Sequence, residues 1–263
     1  MIQLKTSDEI RLMHRAGKLL AACHRQLRRL IRPGVTTLEI DRWVENWLSA
    51  RGARPAQKGY LGYPHAICAS VNDEVCHAMP RDVPLKNGDI VTIDMVVELD
   101  EWMADSAWSY SVGTIGREAR KLLDVTREAL YVGIRAARPG NRIGDISHAI
   151  QSFAESHGLS VVRPFIGHGI GQRIHEPPEV PHYGSPGTGP ELREGMVITI
   201  EPMLTLGNHE VKIDADGWTA RTVDGSLSAQ YEHTVAILAD GPMILTEQNE
   251  ARKNRKNMDS CRN

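Results

Sequence analysis

Residues Asp89–Val112 read DIVTIDMVVELDEWMADSAWSYSV, and this stretch decides the fold. Val, Ile, Trp and Tyr dominate it around an acidic break at Glu98–Glu101, the pattern of two β-strands joined by a short polar turn. Pairing the strands symmetrically about Leu99–Asp100 puts Asp94 opposite Asp105, Thr92 opposite Ala107 and Val96 opposite Met103. Side chains alternate between the two faces of a strand. The other face then carries Val91 opposite Trp108 and Val97 opposite Trp102, which suits a core. Directly opposed Cβ atoms lie about 4.5–5.5 Å apart. Two carboxylates that close need a shared proton or a cation between them. The plain alternative is a pair of aspartates on a solvated sheet face.

Upstream, Thr6–Ile31 reads as a helix capped by Thr6 or Ser7, with Asp8 and Glu9 in its first turn and Arg32-Pro33-Gly34 as its stop. A second helix carries Leu38, Ile40, Val44, Trp47 and Leu48 and ends near Gly52. Downstream the same arrangement returns. A helix over Glu118–Ala137 stops at Arg138-Pro139-Gly140, and a helix with Ile146, Ile150 and Phe153 ends near Gly158. Pro33 and Pro139, Ile40 and Ile146, and Gly52 and Gly158 all differ by 106. At an offset of 107, Leu85–Asp94 (LKNGDIVTID) lies on Leu192–Glu201 (LREGMVITIE), so that Asp94 falls on Glu201. A period this long is no solenoid. It predicts two similar α/β halves about a pseudo-twofold axis, with the two acids approaching each other there.

The remaining segments are short. Ala66–Val75 reads as a strand leading to Cys76-His77, and Phe165–Gly171 (FIGHGIG) holds a glycine-flanked histidine. Pro177–Pro190 is a Pro/Gly loop, and Val211–Thr222 is a small hairpin around the turn pair Asp216-Gly217. Ser228–Leu238 is a closing strand bearing Glu232. The end of the chain is polar and basic, with Arg252, Lys253, Arg255, Lys256 and Arg262, and is expected to be solvated or to meet RNA phosphates.

With 263 residues, 41% apolar and 24% charged side chains and a net charge of −2, the chain fits a globular protein and gives no overall sign of nucleic-acid or membrane binding. No apolar run approaches the ~20 residues of a membrane span. MIQLKTSDEI lacks the pattern of a signal peptide, and Cys23, Cys68, Cys76 and Cys261 show no CxxC spacing. A cytoplasmic location with reduced thiols is the expectation.

Asp94, Asp105, His168, Glu201 and Glu232 are the candidate metal ligands. Four carboxylates and one imidazole form a hard donor set, suited to a pair of Mn²⁺, Fe²⁺, Co²⁺ or Zn²⁺ ions rather than a cysteine-bound structural zinc. Paired ions about 3.5–4 Å apart can polarise a carbonyl and activate water.

This spacing, with GHGIGxxxHExP, VNxxVCHxxP and SLSAQYEHT, resembles the type I methionine aminopeptidases, from about Ile2 to Thr246. The resemblance implies the pita-bread fold, an α+β architecture of two pseudo-symmetric halves whose antiparallel sheets are covered by helices. One catalytic domain over 1–250, with halves of about 1–115 and 116–250 and a basic tail at 251–263, is expected. It implies that Asp94 chelates one metal, Asp105 and Glu232 bridge two, and His168 and Glu201 complete the other. Glu201 would also be the general base, and His77 and His175 would contact substrate and stabilise the tetrahedral intermediate. Tyr60, Tyr63, Cys68 and Trp218 would line a methionine pocket, and Asn72 and Ser228 would lie beside a monovalent cation.

Ile174 stands where the family often has Phe, and Gln57 where some members have Cys, which bears on the shape of the pocket. The implied activity is removal of the initiator methionine from nascent chains ahead of a small second residue. The implied partners are N-terminal Met and the ribosome, and the chain is expected to be a monomer. Proline-specific aminopeptidases and prolidases share the five ligands but usually carry a large extra N-terminal domain, for which this chain has no room. A catalytically inactive binding module of the same fold would lack ligands, and all five stand here.

Overall fold

The structure, a computed structural model, describes residues 1–248. The basic tail at 251–263, with its expected RNA or ribosome contact, lies outside the described residues. The first half contributes α1 (Ser7–Leu27), α2 (Thr37–Ser49), β1 (Arg54–Pro55), β2 (Cys68–Val71), β3 (Glu74–Cys76), β4 (Ile90–Leu99) and β5 (Trp102–Ser111). The second begins with α3 (Arg117–Ala136), α4 (Ile143–Ser156), β6 (Ser160–Val161), β7 (Gly167–Gly169) and β8 (Glu176–Val180). It continues with β9 (Val197–Ile200), β10 (Met203–Thr205), β11 (Val211–Ile213), β12 (Ala220–Thr222), β13 (Ser228–Gln230), β14 (His233–Leu238) and β15 (Gly241–Ile244). All the paired strands are antiparallel. No described helix is long and apolar enough to cross a membrane.

Thr6 caps α1 by the box motif, its hydroxyl taking the Glu9 N–H while Glu9 reaches back. The apolar stripe Ala16, Leu20, Cys23 and Leu27 then packs with Ile40, Val44 and Leu48 of α2 on Val91, Ile93, Met95 and Val97 of β4. In the second half, Leu122 and Leu130 of α3 and Ile146 and Ile150 of α4 pack on Ile198, Ile200, Val235 and Ile237. Each half therefore buries the back of a sheet under two helices and leaves the other sheet face toward the middle of the molecule.

The internal repeat is written in hydrogen bonds as well as residues. Gly34 N–H donates to Leu85 O (2.8 Å) and Leu85 N–H to Val35 O (2.8 Å); Gly140 N–H donates to Leu192 O (3.0 Å) and Leu192 N–H to Asn141 O (2.7 Å). Gly34 and Gly140 both take a left-handed turn conformation, at φ +93° and +86°, which glycine adopts without strain.

The hairpin β4–β5 forms, but in a register two residues away from the symmetric expectation. Leu99 pairs with Trp102, so the turn is Asp100-Glu101, and Asp94 faces Ala107 while Asp105 faces Val96. The cause is the two-residue loop: Asp100 and Glu101 both have positive φ, 51° and 64°, as a type I′ turn demands. A shift of two keeps every side chain on its expected face. Asp94 and Asp105 are therefore diagonal neighbours, and Thr92 meets Ser109 instead of Ala107, their hydroxyls 2.7 Å apart. On the core face Val91 meets Tyr110 and Val97 meets Ala104 rather than the two tryptophans.

Three other segments differ from their expected form. Ala66–Val75 is broken into β2 and β3 by a turn at Asn72, whose φ is +58°. Ser228–Leu238 is interrupted at Tyr231-Glu232, because Glu232 N–H leaves the ladder to donate to Ala107 O (2.9 Å). Part of the Pro/Gly loop, Glu176–Val180, pairs with β7 as β8.

Candidate metal centre

A cavity of about 710 Å³ opens between the two halves. Asp94, Asp105, His168, Glu201 and Glu232 line it, together with His77, His175, Tyr60, Tyr63, Cys68, Ile174 and Trp218. Asp94 and Asp105 project from the uncovered face of β4–β5. Cys68 pairs with Asp94 across β2–β4 and so joins that face. His168 sits on β7, Glu201 just beyond β9, and Glu232 in the break between β13 and β14. Carboxylate oxygens of Asp105 and Glu232 and a ring nitrogen of His168 lie within 4.8 Å of one another. His168 Nε2 is 3.7 Å from Asp105 Oδ2 and 3.7 Å from Glu201 Oε1.

Hydrogen bonds behind the cluster fix its tautomers and directions. His168 Nδ1 lies 2.9 Å from Gly169 O, which can only accept, so the proton sits on Nδ1 and the Nε2 lone pair faces the carboxylates. Thr199 accepts the His168 N–H (2.9 Å) and donates to Glu201 Oε1 (2.8 Å), tying two candidate ligands through one hydroxyl. Gln230 Nε2 donates to Glu201 Oε2 (3.3 Å), and Thr234 bonds both backbone groups of Asp105 (2.9 and 2.8 Å). His182 is not among the residues that the sequence motifs single out. It is buried, and its Nε2 accepts the Glu201 N–H (3.1 Å), so it supports the site from behind. Its position in a Pro/Gly loop gave no sign of this.

The electrostatics are those of several acids gathered in a low-dielectric space. Burial raises Asp94 to about 7 and Glu201 to about 8. Asp105 and Glu232 are pushed well above the carboxylate range by burial first and then by their acidic neighbours. Asp105 Oδ1 and Glu232 Oε1 are buried with no hydrogen-bond partner among the described residues. Orphaned buried carboxylate oxygens are costly unless a cation meets them. The donor set therefore fits divalent ions, four carboxylates balancing two of them. Burial also depresses His168 to about 3 and His77 to about 4, so both are neutral near pH 7.

The walls divide by chemistry. Tyr63 hydroxyl donates to Ile67 O (3.0 Å), and its ring meets Trp218 edge-on at 5.0 Å. Trp218 is aimed by its turn: Asp216 Oδ1 accepts the N–H groups of Trp218 and Thr219, both at 2.9 Å. Arg221 moors that hairpin to β3 through Asp73 (2.8 Å) and Glu74 (2.9 Å). Gln57 accepts the Val96 N–H (2.7 Å) and donates to Cys68 Sγ (3.2 Å), filling the base of the pocket with a satisfied amide. His77 sits at φ +57°, edge-on to Phe165 at 5.3 Å, a conformation rarely held outside constrained sites. His175 Nδ1 lies 2.8 Å from Tyr60 Oη. Asn72 O accepts the Ser228 N–H (2.9 Å).

Residues 11–239 match the model of metallopeptidase family M24. The chain is 50% identical over 246 residues to a methionine aminopeptidase of Clostridium perfringens, covering 94% of this chain and 99% of that one. The crystal structure of methionine aminopeptidase from Rickettsia prowazekii superposes with a TM-score of 0.93 at 44% identity, covering 94% of this chain and all of that one. A prolidase from Pyrococcus furiosus shares the fold at a TM-score of 0.77 and 23% identity, and the chain covers 66% of it. The architecture is thus the pita-bread fold that the sequence motifs implied.

Proposed function

Because the chain belongs to metallopeptidase family M24, we propose that it is a metal-dependent methionine aminopeptidase that releases N-terminal methionine from nascent proteins and peptides, with a preference for a small second residue. The observation that carries this reading is the cluster of Asp105, Glu232 and the free Nε2 of His168, with Glu201 and the half-buried Asp94 lining the same aromatic and sulfur-lined pocket. Asp94, Asp105, His168, Glu201 and Glu232 would hold two divalent ions, with Mn²⁺, Fe²⁺ or Co²⁺ favoured by the oxygen donors and Zn²⁺ compatible. Such ions supply a polarised carbonyl and a more acidic water.

The chain's own groups do the rest. The methionine side chain enters between Tyr60, Tyr63, Cys68, Ile174 and Trp218, where aromatic rings and sulfur suit a thioether. Glu201, held between Thr199 and Gln230, takes the proton of the attacking water. In the tautomer where Tyr60 donates to Nδ1 of His175, the His175 Nε2–H is left to donate to the substrate, and neutral His77 donates from another element lining the cavity.

The proposal extends to the finer assignments. Residues 1–250 act as one catalytic domain with halves of about 1–115 and 116–250, which the two separate apolar clusters support. A monovalent cation sits beside Asn72 and Ser228, supported by their backbone contact. The enzyme works as a cytoplasmic monomer that meets its substrates at the ribosome, a setting that suits N-terminal processing. The test is to assay metal-stripped protein on Met-Ala-Ser and Ala-Pro-Ala, with and without Mn²⁺ or Co²⁺. Metal-dependent Met release from the first peptide alone is expected. Cleavage before proline in the second would overturn the pocket assignment.

A further inference from the structure

Lys5 and Glu176 form an ion pair that the chemistry above does not use. Both side chains are nearly buried, 5% and 7% exposed. Glu176 lines the reaction cavity, whereas Lys5 lines a separate cavity of about 240 Å³ with Ile10, His14 and Met243. The pair is thus the partition between the two spaces. The pair packs closely against the backbone around it. Lys5 N–H is bound to Gly195 O at 2.6 Å, and a Cβ added to Gly171 would lie 2.6 Å from both Lys5 Cε and Glu176 Oε1.

What the pair holds follows from the chain direction. Glu176 opens β8 and pairs with Gly169 of β7, so it closes the loop that ends in His175. His175 is exposed, and among the described residues its side chain makes a hydrogen bond to Tyr60 and ring contacts with Tyr60 and His168, the latter at 4.3 Å. Its remaining restraint comes through the backbone, whose next residue is clamped by Lys5.

We propose that Lys5 and Glu176 are positioning residues, an ion pair that fixes the start of β8 so that His175 stands over the ligand cluster. This rests on the reading of His175 as a substrate-facing group. The N-terminal segment of the chain, remote in sequence, thereby becomes part of the active-site wall.

The test compares Lys5→Met, Glu176→Gln and the double variant. Each single change leaves one buried charge uncompensated, so Tm falls. The double variant removes both charges, and its Tm returns toward the wild-type value. A purely structural pair would then regain turnover as well. The positioning role predicts that the double variant stays about 10–100-fold low in kcat on Met-Ala-Ser. Its KM stays within about twofold of wild type, because the methionine pocket is untouched. Its Mn²⁺ affinity, measured by calorimetry, is also unchanged. Wild-type kcat in a double variant with restored Tm would overturn the proposal. Glu176→Asp keeps both charges and shortens the reach by one methylene, so kcat falls with Tm nearly native; an unchanged kcat there would count equally against it. Wild-type protein without metal-dependent Met release would instead sink the functional reading itself.

Discussion

Among the described residues, Asp105 and Glu232 each keep one buried carboxylate oxygen without a hydrogen-bond partner, while His168 turns an unprotonated nitrogen toward them. Single side chains here have sharply different duties. Replacing His168 by Ala removes a proposed ligand and leaves the apolar core clusters intact. Turnover of Met-Ala-Ser is expected to fall more than about 100-fold, since even outer partners of metal ligands cost 10–100-fold. The circular-dichroism melt of the metal-free variant should match that of metal-free wild type, and near-normal turnover would remove His168 from the site. A second histidine bears on stability. His24, fully buried on α1, bonds Tyr110 Oη (2.8 Å) and Ser106 O (3.1 Å), and burial lowers its pKa from 6.5 to about 4. The unfolded chain therefore takes up a proton between those values that the folded chain refuses. The stability His24 contributes is present above about 6.5 and is lost as pH falls toward 4, on the order of 3 kcal/mol in all. Urea titrations across that range should show a steeper decline for wild type than for His24→Gln; parallel declines would refute the assignment.

At the scale of elements, the β4–β5 hairpin shows both the reach and the limit of sequence reading. Alternation correctly separated the core face from the face bearing Asp94 and Asp105. Register was not legible, because it depends on loop length, and the loop is Asp100-Glu101 rather than the Asn-Gly that announces a type I′ turn. Glu101 carries a positive φ without glycine's freedom, so Glu101→Gly should stabilise the protein by about 0.5–1 kcal/mol. That is a rise of roughly 1–4 °C in Tm for a chain of this size, readable by calorimetry; a fall would contradict the turn geometry. The break at Glu232 was hidden for a related reason. No glycine or proline marks it in SAQYEHTVAIL, and only long-range bonds to Ala107 and Ser106 reveal that the strand has ended. His182 was missed because its partner is a backbone N–H, which no side-chain pattern reports.

For the whole molecule, the repeat explains why the site lies where it does. Two helix-covered sheets face each other, and the aligned acids Asp94 and Glu201 both line the cavity between them. The repeat was legible because the Pro-Gly stops ending in Gly34 and Gly140 hold the same left-handed backbone geometry in each half. The assembly of four acids in one buried cage makes the metal-free state weaker than the loaded one. Mn²⁺ at about 100 times its Kd should add about 2.7 kcal/mol. Tm would then rise by roughly 5–10 °C. The most direct measurement is to titrate Mn²⁺ into metal-stripped protein, following bound metal and Met release from Met-Ala-Ser in the same sample. The structure predicts that turnover rises with bound metal and saturates with it. Full Met release in the presence of chelator, with no metal bound to the protein, would contradict the account.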